Sequence, residues 1–140
     1  MTVVLDTSVL LALLNRRDPA HPAVASWWVE TRPLVRTTPL VLAEADHLLV
    51  ARCGRAGARA LTALIDGGAL GDRWWDGAAR RSAEVAARHE DMGLGLTDSS
   101  LVALAEHEGS HRVATLDERH FRAVRPLTGE PAFVLLPTDR

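Results

Sequence analysis

An unbroken apolar run, Val3-Val4-Leu5, leads directly into Asp6. A strand with one wet face alternates polar and apolar residues, whereas an uninterrupted run marks a strand buried on both faces. Such strands belong to parallel sheets covered by helices on either side, which narrows the fold to the α/β class. Ligands of those sheets bind in the crevice beyond the carboxyl ends of the strands. Asp6 stands at that end of this strand and is therefore a site candidate; the competing role is an ordinary helix N-cap.

The rest of the chain alternates helix and strand patterns, as an α/β domain with a parallel sheet requires. Thr7 to Asn15 reads as a helix. Asp18-Pro19 supplies an N-cap acid and Pro at the first helical position, predicting a helix to about Thr31 that Pro33 ends. Leu34-Val35-Arg36-Thr37 reads as a short strand. Thr38-Pro39 opens an apolar helix to Arg52 that Gly54 closes, and another helix covers Arg55 to Asp66. Ala69 to Trp75 is a strand pattern interrupted by Gly71 and Asp72. Asp76 is placed to cap a helix from Gly77 to about Asp91, and Thr97 to cap one reaching Glu108, with Gly109 just past its end. Arg112 to Leu116 is a strand that delivers Asp117, and Phe133 to Leu136 is the last strand. One domain over residues 1–140 is expected, with no linker or internal repeat.

Composition removes several chemistries. All 16 basic residues are Arg and there is no Lys, so a P-loop or a Schiff-base enzyme is excluded. GC-rich codon bias explains that deficit better than selection at a site does. The formal net charge of −2 is unlike a globally basic nucleic-acid binder. Cys53 is the sole cysteine, which rules out an intramolecular disulfide and suits a reducing, cytoplasmic setting. No apolar run is long enough for a membrane span, and no signal peptide is expected.

Four carboxylates carry the functional reading. Asp6 and Asp117 each terminate an apolar strand, although Asp117-Glu118-Arg119 also looks like a plain turn. On a helical wheel Leu40, Val41 and Leu48 bracket Glu44, placing it inside the apolar arc of its helix. A carboxylate facing a core must be paired or bound to a cation, so a buried ion pair and a metal ligand remain open. Asp98 opens its helix, where an acid also complements the helix dipole. Brought to one crevice with no lysine among them, the four would repel one another strongly. A hard divalent cation, Mg²⁺ or Mn²⁺, resolves such repulsion and suits phosphodiester hydrolysis.

The pieces Val4-Leu5-Asp6-Thr7-Ser8, Pro39 to Glu44, Leu96 to Glu106 and Ala114 to Phe121, in that order and spacing, resemble PIN-domain ribonucleases of the VapC toxin type. The resemblance spans essentially the whole chain. It implies a five-stranded, mostly parallel α/β/α domain with Asp6, Glu44, Asp98 and Asp117 around Mg²⁺ or Mn²⁺, and cleavage of RNA by a metal-activated water. It further implies that Thr115 orients the last acid, that the protein forms homodimers, and that a small VapB-type antitoxin blocks the site. Ser8 is a lesser supporting candidate.

Other features are weaker. Arg112, Arg119, Arg122 and Arg125 gather in sequence near Asp117 and would border the site, holding RNA phosphates, or form a solvated face. The six His show no metal-ligand spacing, and none reads as a base or ligand. Trp27 and Trp28 point about 100° apart on a helix, so one is expected to meet a neighbouring chain. A non-catalytic PIN-like module binding RNA or protein is the alternative to an enzyme; it predicts a missing acid, and none is missing. A phosphatase of the haloacid-dehalogenase type also begins with an Asp at a strand end, but needs a second acid where this chain has Ser8, and a Lys.

Overall fold

The structure, a computed structural model, describes residues 2–139. Its strands are β1 (Thr2–Leu5), β2 (Leu34–Thr37), β3 (Gly71–Asp72), β4 (Arg112–Ala114) and β5 (Val134–Leu136). They lie side by side in the order β3-β2-β1-β4-β5. Every pairing is parallel, so the expected parallel α/β sheet is present without an antiparallel member. The α-helices among the described residues are α1 (Thr7–Leu14), α2 (His21–Thr31), α3 (Pro39–Asp66), α4 (Ala78–Arg88), α5 (Leu96–His107) and α6 (Glu118–Ala123).

The apolar run that defines β1 occupies the centre of the sheet. Val3, Val4 and Leu5 are buried, and successive side chains of a strand point to opposite faces. Helices therefore cover the sheet on both sides. Val4 pairs with Arg36 of β2 and Val113 of β4, and Leu5 pairs with Ala114. The ladder continues one step past β1, where the Asp6 amide donates to the Ala114 carbonyl at 2.9 Å. From β1 the chain travels toward β2, whereas from β4 it travels toward β5. The carboxyl ends of β1 and β4 thus flank the topological switch point of the sheet, where α/β folds open a crevice.

Helix α5 is buried continuously from Ser99 to Ala105, so it threads the interior instead of lying on it with one apolar stripe. Its first turn is held against the start of α3 by a 2.9 Å hydrogen bond between the Thr38 and Ser100 hydroxyls. Ser100 gives its own hydrogen to the Thr97 carbonyl at 2.6 Å, which leaves Thr38 as the donor. Helix α3 breaks where the sequence places a break: Gly54 has φ 65° and ψ −160°, a conformation that strains any side chain. The turn after the break presses onto the turn before it. A Cβ added to the buried Gly57 would meet Cys53 Cβ and the Leu49 carbonyl, both at 2.9 Å.

Several boundaries differ from the sequence reading. Helix α2 begins at His21, not Pro19, because the Asp18 carboxylate accepts from the Ala20 amide at 2.9 Å and closes a separate turn first. Gly77, with φ 88°, caps α4 in place of Asp76. Gly95 caps α5, and Thr97 lies inside its first turn. The interrupted Ala69–Trp75 pattern leaves two strand residues at the sheet edge. Trp27 is core, and Trp28 is half-buried against the same core with its ring edge to face with that of Trp27, centroids 6.2 Å apart. The large apolar side chain that this helix exposes is Val29.

Candidate metal centre

Asp6, Glu44, Asp98 and Asp117 all line one pocket of about 360 Å³ at the switch point. The four come from the end of β1, from α3, from the first turn of α5 and from the end of the β4 segment. No arginine lines that pocket.

Asp6 is held most firmly. It is 5% exposed and caps α1, its Oδ1 accepting from the Thr7 amide at 2.7 Å. Its Oδ2 accepts from the Ser8 hydroxyl at 2.9 Å and the Thr115 hydroxyl at 2.7 Å. The capping bond uses Oδ1 alone, and Oδ2 faces Ser8 and Thr115. Ser8 Oγ also accepts from the Leu116 amide at 2.9 Å, and Thr115 Oγ1 from the Asp117 amide at 3.0 Å. Thr115 therefore aims the first acid with its hydrogen and fixes the backbone of the last acid with its lone pair. The resemblance implied only a contact with the last acid.

Burial pushes the Asp6 carboxyl above its ordinary value of 3.8; the bonds from Thr115, Ser8 and Thr7 oppose this, and the charge of Asp117 adds to it. Asp98 is pushed up to about 6, by burial first and then by the charge of Asp6, against a hydrogen bond from His120. The dipole of α5 favours an anion at this end but does not offset burial and a like charge. Glu44 corrects the sequence reading: it is exposed, neither facing the core nor in a buried ion pair, and it reaches the pocket from the rim of α3.

His120 is the residue that sequence reasoning missed. Its Nδ1 stands 3.2 Å from Asp98 Oδ2 and 3.3 Å from Asp117 Oδ2. Among the described residues, the group of metal-competent side chains whose ligand atoms lie within 4.8 Å of one another is Asp98, Asp117 and His120. The available signal was the separation of Asp117 and His120 by three residues at the start of a helix, which puts them on one face. None of the four arginines expected near Asp117 lines the pocket, and two of them are engaged elsewhere. Arg122 is engaged by Asp139 at 2.6 Å and Glu118 at 3.3 Å. Arg112 lines a different groove, beside Val3 and Leu34 near the amino ends of the strands.

The donor set is self-repelling carboxylate oxygen with one imidazole nitrogen beside it and no arginine in the pocket lining, which fits a divalent cation. A parallel sheet with carboxylates gathered at its switch point defines an α/β protein equipped to hold such an ion. The chain belongs to the PIN-domain family, whose model matches residues 3–126. It is 32% identical over 141 residues to Ribonuclease VapC26 of Mycobacterium tuberculosis, covering 96% of this chain and 100% of that protein. Ribonuclease VapC29 of the same species is 32% identical over 143 residues, covering 99% of this chain and 98% of the relative. Two solved structures share the fold. Mycobacterium tuberculosis VapC20, described as a Sarcin-Ricin loop cleaving toxin, superposes with a TM-score of 0.77 at 24% identity over 84% of this chain and 91% of its own. VapBC2 from Rickettsia felis, solved bound to a DNA fragment from its promoter, gives 0.67 at 15% identity over 96% and 97%.

Proposed function

We propose that this chain, as a single domain over residues 1–140, is a metal-dependent endoribonuclease and the toxin of a toxin–antitoxin pair. The observation that carries the reading is the convergence of Asp6, Asp98 and Asp117, on segments far apart in sequence, around one pocket that also takes in Glu44. The family match and the ribonuclease relatives support the activity.

Asp6, Asp98 and Asp117 would hold the cation, Mg²⁺ or Mn²⁺, with Glu44 contributing from the rim. The chemistry supplied by the bound ion is acidification of the attacking water and neutralisation of charge building on the phosphate. The chain's own contribution is positional. Thr115, Ser8 and the Thr7 amide fix both oxygens of Asp6, so its carboxylate does not reorganise as the phosphate charge changes. The Thr115 bond to the Asp117 amide keeps the last acid in register with the first. Glu44, exposed and unburdened by a buried partner, is free to orient water or hold its proton at Oε.

A cytoplasmic setting, a homodimer and a small VapB-type antitoxin complete the proposal. No helix among the described residues is long and apolar enough to cross a membrane. Val29, Leu34 and Trp74 are exposed apolar side chains that a second chain would cover. The deciding experiment incubates partner-free protein with single-stranded RNA and Mg²⁺ or Mn²⁺. Cleavage is expected, with loss in EDTA and in Asp6→Asn at retained fold; intact RNA with metal present would refute the activity. Light scattering of the same sample tests the dimer.

A further inference from the structure

We propose that His120 is a direct ligand of the cation through Nδ1, and that this nitrogen gives the centre a preference for Mn²⁺ over Mg²⁺. The inference deepens the metal-dependent reading above and rests on it.

The geometry is that of ligand atoms sharing an ion. Bonds of about 2.1–2.3 Å at right angles place neighbouring ligand atoms about 3.0–3.3 Å apart. Nδ1 lies 3.2 Å from Asp98 Oδ2 and 3.3 Å from Asp117 Oδ2, two edges at the spacing of such a shell, and all three ligand atoms lie within 4.8 Å of one another. The imidazole has little freedom to leave. His120 sits in the first turn of α6 with its side chain 17% exposed, and the next residue, Phe121, is 1% exposed in the core. Phe121 packs edge to face on Phe133 at 6.1 Å, which locks the short helix to the sheet layer. A cation entering between Asp98 and Asp117 therefore meets the ring in place. It binds the lone pair of Nδ1 in the neutral ring, whose hydrogen is then carried on Nε2. Carboxylate and water donors suit Mg²⁺ and Mn²⁺ alike, whereas imidazole is a donor for softer transition metals. One nitrogen among oxygens thus separates the two ions.

The test is pulsed electron paramagnetic resonance on the whole protein loaded with Mn²⁺ alone, read for nitrogen coupling to the manganese, with calorimetric titration of Mn²⁺ and Mg²⁺. Wild-type protein is expected to show the nitrogen coupling. His120→Gln keeps a hydrogen-bond donor and removes the imidazole; it should lose the coupling, bind Mn²⁺ about 10- to 100-fold more weakly and change Mg²⁺ affinity by less than about 3-fold. Mn²⁺ bound by the wild type without nitrogen coupling overturns the proposal, and this needs no variant to fold. Coupling that persists in His120→Gln overturns it as well. RNA cleavage without nitrogen coupling leaves the ribonuclease reading standing and removes this one. Nitrogen coupling without RNA cleavage does the reverse, and failure of Mn²⁺ to bind overturns both.

Discussion

Replacing Asp98 by Asn should stabilise the metal-free fold while removing cleavage. The Asp98 side chain is 24% exposed, and burial with the neighbouring Asp6 charge moves its carboxyl from 3.8 to about 6. The unfolded chain gives up this proton near pH 4, and the folded chain keeps it until about pH 6. Over that interval the folded state binds more protons, so stability falls as pH rises and then levels off. At 1.36 kcal/mol per tenfold step, the cost above pH 6 is on the order of 3 kcal/mol. Solvent reaching the carboxylate lowers what is recovered, giving a gain of about 1–3 kcal/mol for Asp98→Asn at pH 7.5. Urea denaturation in EDTA, followed by tryptophan fluorescence, measures it. The gain should be smaller at pH 4.5, where the parent carboxyl is mostly neutral in the fold. Mn²⁺ at about 100 times its dissociation constant should then stabilise the parent by about 2.7 kcal/mol and the variant by much less. A variant no more stable than the parent at pH 7.5, or a gain identical at both pH values, would refute the reasoning.

Other substitutions separate the roles of the remaining residues. Thr115→Val preserves shape but removes the donor to Asp6 and the acceptor of the Asp117 amide; it should cost about 1.5–3 kcal/mol in stability, read by the same denaturation, and lower kcat more than KM. Glu44→Gln should cut the cleavage rate with stability within about 0.5 kcal/mol of the parent, because the side chain is exposed; a large loss of stability would return Glu44 to a structural role. Gly57→Ala should destabilise the fold by about 1–3 kcal/mol through the Cys53 and Leu49 contacts at 2.9 Å, leaving metal affinity per folded molecule unchanged.

The sheet and its first acid were legible because one physical rule covers both: an apolar run buried on two faces belongs to a parallel sheet, and such sheets bind ligands at their strand ends. Glu44 was misjudged because a helical wheel reports which arc is apolar, not which end of that arc reaches a crevice. Leu48 lines the pocket beside it, so the apolar arc continues to the rim of the site instead of closing over it. His120 escaped notice because its local spacing from Asp117 (i,i+3) is common on any helix, and the partner that marks it out, Asp98, stands 22 positions away, beyond the reach of periodicity. The arginines misled for the converse reason. Arg112 and Asp117 are close in sequence but lie toward opposite ends of β4. Helix starts at Asp18, Asp76 and Thr97 shifted because a side chain able to cap competes with nearby turns, and glycines took two of those three caps.

The position of β1 between β2 and β4 also sets a schedule. Asp6 is made early, and its donor Thr115 follows 109 residues later. A growing chain can lay β2 beside β1 long before β4 exists. Throughout that time Asp6 lacks both the hydroxyl that aims it and the acid that shares its pocket. For a nuclease whose target is RNA, the order of strands along the gene would act as a safety catch: the proposed cutting centre would stay incomplete until Thr115 and Asp117 had been added. Moving β4 ahead of β1 by circular permutation would keep the fold and release that catch.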